Sequence, residues 1–212
     1  MRSIFCAAGA GTRAQTQMIW LPGAYHSAQD FLDEGFARAA AQRRAPLDLL
    51  FVDLQMRHLD DRDVFQRLRS EIVLPARDSG AAVWLAGISL GGLIALDYAS
   101  SYPNELDGLC LLAPYLGNRM LINEIAAASG LDGWQPGELA ESDAERRIWR
   151  YIKTRVDSRP LFLGYGRDDR FSAAHHMLAA TLPADWVEVA AGGHKWGTWL
   201  NLWEKFLDSH FR

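Results

Sequence analysis

The chain has 212 residues, 49% of them hydrophobic and 23% charged, enough for one domain with a substantial core and ordinary for a soluble globular protein. A net charge of −4, with the arginines scattered and no basic stripe, argues against a nucleic-acid partner held through its phosphates. Two cysteines, Cys6 and Cys110, form neither a disulfide framework nor a metal-ligand spacing, so a reducing, cytoplasmic setting is expected, with no metal and no cofactor.

Met1 to Gln17 holds one short apolar stretch, Ile4 to Ala10, too short to span a membrane and unlike a signal peptide. Residues 1–17 are expected to be loosely attached. From there, short apolar runs alternate with longer segments of helical period, the pattern of a parallel sheet wrapped by crossover helices. The expected strands are Met18-Leu21, Leu49-Asp53, Val83-Ile88, Leu109-Ala113, Leu161-Tyr165 and Trp186-Val189; several are unbroken apolar runs, as strands buried on both faces should be. Helices are expected over Asp30 to Gln42, through Val64, Leu68 and Ile72 up to a stop at Pro75, and over Thr198 to Phe211. Between Pro114 and Pro160 the alternation breaks, with helices placed over Leu121 to Ser129 and after a Ser142/Glu145 capping box. That segment reads as either a helical lid or an enlarged crossover.

Chemistry enters at Gly87-Ile88-Ser89-Leu90-Gly91, a G-x-S-x-G where a strand meets a helix. Small residues flank a serine there because the turn of a nucleophile elbow crowds its neighbours and strains the serine. A serine hydroxyl needs a base, and the base needs an orienting carboxylate, in the chain order serine, acid, histidine. Gly166-Arg167-Asp168-Asp169 follows the strand ending at Tyr165, and Gly192-Gly193-His194-Lys195-Trp196 precedes the last helix. The order is met, with Asp168 and Asp169 both open as the acid. His58, His175, His176 and His210 are read as solvated or capping residues, without ligand spacing for a metal.

With these motifs in place the chain resembles the α/β-hydrolase superfamily from about Met18 to the carboxyl terminus. The resemblance implies an α/β fold with a mostly parallel central sheet and helices on both faces. Its usual glycine, two variable residues and aspartate select Asp169 over Asp168, and its histidine loop selects His194. The amide of Leu90, after the nucleophile, is one expected oxyanion donor; by resemblance the second is Ala24, with Tyr25 as fallback, from Pro22-Gly23-Ala24 where the family often has histidine-glycine. Tyr25 and His26 either enter the acyl pocket or pack under the helix starting near Ser27, and Tyr115, Arg119, Trp134 and Trp149 are candidate substrate contacts. The expected activity is a serine hydrolase acting on a small-molecule ester or thioester through Ser89, His194 and Asp169. An acyltransferase and a ligand-binding module of the same fold are the alternatives.

Overall fold

Residues 1–9, 13–54, 64–140, 142–154 and 159–211 are described by a computed structural model; His58 lies outside them. Within these residues seven strands form one sheet: β1 (Ser3–Cys6), β2 (Thr16–Leu21), β3 (Leu47–Val52), β4 (Ala82–Ile88), β5 (Gly108–Leu112), β6 (Leu161–Gly166) and β7 (Val187–Ala190), in the order β1-β3-β2-β4-β5-β6-β7. All neighbours pair parallel except β1, which runs antiparallel to β3 with Ser3 opposite Val52 and Cys6 opposite Leu49.

Alternation along the strands divides the core into two layers, because successive side chains point to opposite faces. Ile19, Leu21, Val83, Leu85, Leu109, Leu111, Leu161 and Leu163 face one layer, whereas Met18, Trp20, Trp84, Ala86, Cys110, Leu112 and Phe162 face the other. The first layer is covered by α3 (Val64–Leu68), α4 (Leu74–Asp78), α5 (Leu90–Ser101), α6 (Arg119–Ala127), α7 (Ala144–Thr154) and α8 (Ser172–Ala179). Across the sheet lie α1 (Ala28–Asp33), α2 (Phe36–Gln42) and α9 (Trp196–His210). Both cysteines are free thiols, Cys110 buried in β5 and Cys6 half-buried in β1.

Four local findings differ from the expectations. Ser3–Cys6, inside the stretch expected to be loose, is an edge strand, and its link to β2 is held by buried Asp48, whose carboxylate accepts the amides of Ala8 at 2.9 Å and Ala14 at 3.1 Å. The helix expected over Asp30 to Gln42 is two helices, since Gly35 at φ +90° turns the chain left-handed between them. Pro75 does not stop its helix. A π-helical turn over Arg69–Val73, in which the Leu74 amide reaches back to the Arg69 carbonyl, lets Pro75 enter the first turn of α4, where its missing N–H is not needed. Finally, α7 is capped by Asp143, whose carboxylate accepts the Arg146 amide at 3.0 Å, leaving Glu145 to bind Asn118 and Tyr115.

Candidate active site

Ser89 stands between β4 and α5 at φ +52°, ψ −114°, a conformation that a residue with a side chain holds only when its surroundings enforce it. The enforcement is visible in the neighbours. Its amide donates to Leu112 O (3.1 Å), and its carbonyl accepts from Gly92 (3.0 Å) and Tyr115 (2.8 Å). A Cβ on Gly87 would lie 2.2 Å from Gly91 O, and one on Gly91 would lie 2.2 Å from Leu21 O. Both glycines are therefore required by backbone crossing backbone.

The acid and histidine loops close on each other in the same way. Arg167 N donates to Ala190 O at 2.8 Å and Asp168 N to Gly192 O at 3.0 Å, while a Cβ on Gly166 would meet Gly192 O at 2.2 Å. Gly192 itself needs φ +108°. This clamp brings His194 to the serine: Nε2 accepts from Ser89 Oγ at 2.9 Å, and Nδ1 donates to Asp169 Oδ2 at 2.8 Å. Trp199 and Phe171 meet the imidazole edge-on, at 5.0 and 5.2 Å between centroids. Asp168 is exposed and contributes its backbone to the clamp.

Asp169 is 3% exposed. Burial by itself pushes its carboxyl up, but the hydrogen bond from His194, the Phe171 amide at 2.9 Å, and the nearby His194 and His175 outweigh that and hold it below its ordinary value. The site thus keeps an ionised carboxylate behind a histidine.

Beside Ser89 opens a cavity of about 340 Å³ lined by Gly23, Ala24, Tyr25, His26, Arg170, His194, Lys195, Trp196 and Trp199. The loop after β2 reaches it because Gly91 leaves room for the carbonyls of Leu21 and Pro22, and Gly23 sits so close that a Cβ there would be 3.7 Å from Ser89 Cβ. A turn closed by His26 N to Gly23 O (3.1 Å) then aligns Ala24 along the cavity. Leu90 is the first residue of α5, where a helix leaves its leading amides without carbonyl partners.

Of the expected substrate contacts, Tyr25 and His26 line the cavity, Tyr25 with 91% of its surface exposed and His26 against Trp196 at 4.8 Å. Trp134 does not: it is buried in the layer formed with α6 and α7, and its indole N–H donates to Glu124 at 2.8 Å. Trp149 is likewise core, donating to Leu116 O at 2.6 Å. Tyr115 is spoken for by Glu145, which accepts from its hydroxyl at 2.7 Å, and its ring edges Phe171 rather than the cavity. Arg119 begins α6 on the exposed surface, outside the cavity lining. His175, expected at the surface, is fully buried and donates through Nε2 to Pro114 O at 2.9 Å; burial lowers its pKa to about 4. His210 stacks on Trp186 at 4.2 Å.

Sequence reasoning missed four cavity residues. Arg170, Lys195 and Trp196 adjoin the acid and histidine in the chain and were findable by adjacency; Trp199 carries the signature of a core-facing position and gives no separate signal.

Residues 51–140 match the family described as serine aminopeptidase, S33. No curated protein matches the chain by sequence. Among solved structures, the substrate-bound fluorophosphonate-binding serine hydrolase F of Staphylococcus aureus superposes with a TM-score of 0.64 at 12% identity, covering 94% of this chain and 86% of its own. A soluble variant of the Saccharomyces cerevisiae monoglyceride lipase, bound to a substrate analogue, gives 0.62 at 14% identity over 99% and 92%. The Paleococcus ferrophilus monoacylglycerol lipase gives 0.61 at 15% over 99% and 98%.

Proposed function

We propose that this chain, which has the α/β-hydrolase fold, is a serine hydrolase that cleaves small esters or thioesters through an acyl-enzyme on Ser89. One observation carries the reading: a single imidazole bridges the Ser89 hydroxyl at 2.9 Å and the Asp169 carboxylate at 2.8 Å. As Ser89 Oγ attacks the carbonyl carbon, its proton passes to His194 Nε2, and Asp169 stabilises the imidazolium so formed. The carbonyl oxygen, now negative, is received by the amides of Leu90 and Ala24, each worth about 3–4 kcal/mol when preorganised. Collapse breaks the bond to the leaving oxygen or sulfur, which takes the proton from Nε2. Water then enters, gives a proton to Nε2 as it attacks the acyl carbon, and the acid departs as Oγ recovers the proton.

Within that class we favour a carboxylesterase working in a cytoplasmic setting: an alcohol leaves an acyl carbon far more readily than an amine does, which sets an ester ahead of an amide, and the thiols are free. An exposed Tyr25 at the mouth and a cavity of about 340 Å³ favour a small or slender substrate. A fluorophosphonate should label the wild type at Ser89 and fail on Ser89→Ala, and the wild type should release 4-nitrophenol from short-chain esters while Ser89→Ala does not. Labelling without turnover on any ester, or turnover that requires an added alcohol or amine, would replace this reading with a binding module or an acyltransferase.

A further inference from the structure

Several arginines and lysines on this surface are held in ion pairs: Arg43 with Asp208 and Glu204, Arg69 with Glu105, Arg146 with Asp143 and Glu124, Lys205 with Glu188. Two cations that line the Ser89 cavity are not. Among the described residues no ion pair joins Arg170 or Lys195 to Asp168 or to any other carboxylate, and no Asp or Glu lines the cavity with them. Arg170 lies over the Phe171 ring at 4.8 Å, which steadies the guanidinium beside the site without neutralising it. Lys195 occupies the N-cap of α9, a helix with no acidic residue in its first turn and no side-chain cap. A cation is the wrong charge for a helix start, whose exposed amides favour an anion. The helix end and both side chains therefore add to one positive field, in the same cavity as Ser89 and His194.

We propose that the substrate carries a carboxylate or phosphate group, and that Arg170 and Lys195 select for that charge. The inference rests on the serine-hydrolase reading of Ser89. It makes the two cations specificity residues that hold a remote anion while the carbonyl sits at Ser89, with binding energy drawn from charge as well as from the Trp196 and Trp199 surfaces.

Matched esters test it, each rate taken relative to the ester's uncatalysed hydrolysis. On the acyl side the pair is 4-nitrophenyl hydrogen adipate against methyl 4-nitrophenyl adipate. On the alcohol side it is 4-acetoxybenzoate and 4-acetoxyphenyl phosphate against methyl 4-acetoxybenzoate. The side and the anion that respond identify where the charge sits and which oxyanion it is. At low salt the anionic member of at least one series should be preferred by about tenfold in kcat/KM, a preference that shrinks as salt screens it. In the Arg170→Gln/Lys195→Gln double variant the anionic-to-neutral ratio should fall toward one. Equal or better use of the neutral ester in both series, or an anion preference that survives the double substitution, overturns the inference and leaves the hydrolase reading standing. Turnover of no ester in either series sinks both.

Discussion

At the scale of single residues, the two adjacent aspartates make the sharpest contrast. Asp169 binds His194 through Oδ2, whereas Asp168 offers the site only its amide. Asp169→Asn should lower kcat/KM by roughly 10³–10⁴-fold through loss of the productive tautomer, while Asp168→Asn should keep most of the activity. Steady-state kinetics on the same ester decide it, and the reverse ranking would reassign the acid. Gly91→Ala tests the elbow: its new methyl would meet the Leu21 carbonyl at 2.2 Å, backbone that cannot yield as a side chain can. Overpacking of this kind typically costs about 1–3 kcal/mol, so a lowered melting temperature together with lost activity is expected; an unchanged melting temperature would show the loop to be pliable. That Ser89, His194 and Asp169 would meet was readable beforehand, because a serine, an acid and a histidine stand in the expected chain order, each in a loop at a strand end or ahead of the last helix. His175 was not, because its one strong partner, the Pro114 carbonyl, is brought to it only by folding. Trp134 misled for the matching reason: an aromatic in an irregular segment looks available until Glu124 is seen to take its N–H.

At the scale of elements, β4, β5 and β6 were readable as unbroken apolar runs, since both their faces are covered. β1 showed only as the start of the short apolar stretch from Ile4 to Ala10 and did not read as a strand, being four residues long, half-exposed and paired with a strand far along the chain. What secures it is Asp48, buried at 2% exposure and accepting two amides of the following link. Asp48→Ala leaves those donors unmatched and should cost about 1–3 kcal/mol. Hydrogen exchange should show the loss first at Ala8 and Ala14, with β4 and β5 still protected; uniform loss of protection would mean that β1 is not a separately opening unit. The π-helical turn ahead of Pro75 escaped notice because a proline in a helical pattern signals an end unless the preceding turn can widen.

At the scale of the whole molecule, buried histidines set how stability responds to acid. His175 is held neutral with its pKa lowered to about 4, so the unfolded chain binds a proton there at pH values where the folded one does not. Its contribution is complete above pH ~6.5 and declines as pH falls toward 4, by about 3 kcal/mol in total. His26 and His210, also lowered by burial, act in the same direction, and Asp169, held below its ordinary value, extends the loss to still lower pH. His175→Gln, which keeps an N–H for Pro114 O, should flatten the melting temperature between pH 4 and 6.5; a slope as steep as the wild type's would place the acid sensitivity elsewhere. The two thiols give the same molecule a pair of built-in clocks. Cys110 sits fully buried at the middle of the sheet with its pKa driven up, and Cys6 lies half-buried on the edge strand. A thiol reagent should therefore reach Cys6 each time the edge frays and Cys110 only when the sheet comes apart, so the two rates time local and global opening separately without an engineered label.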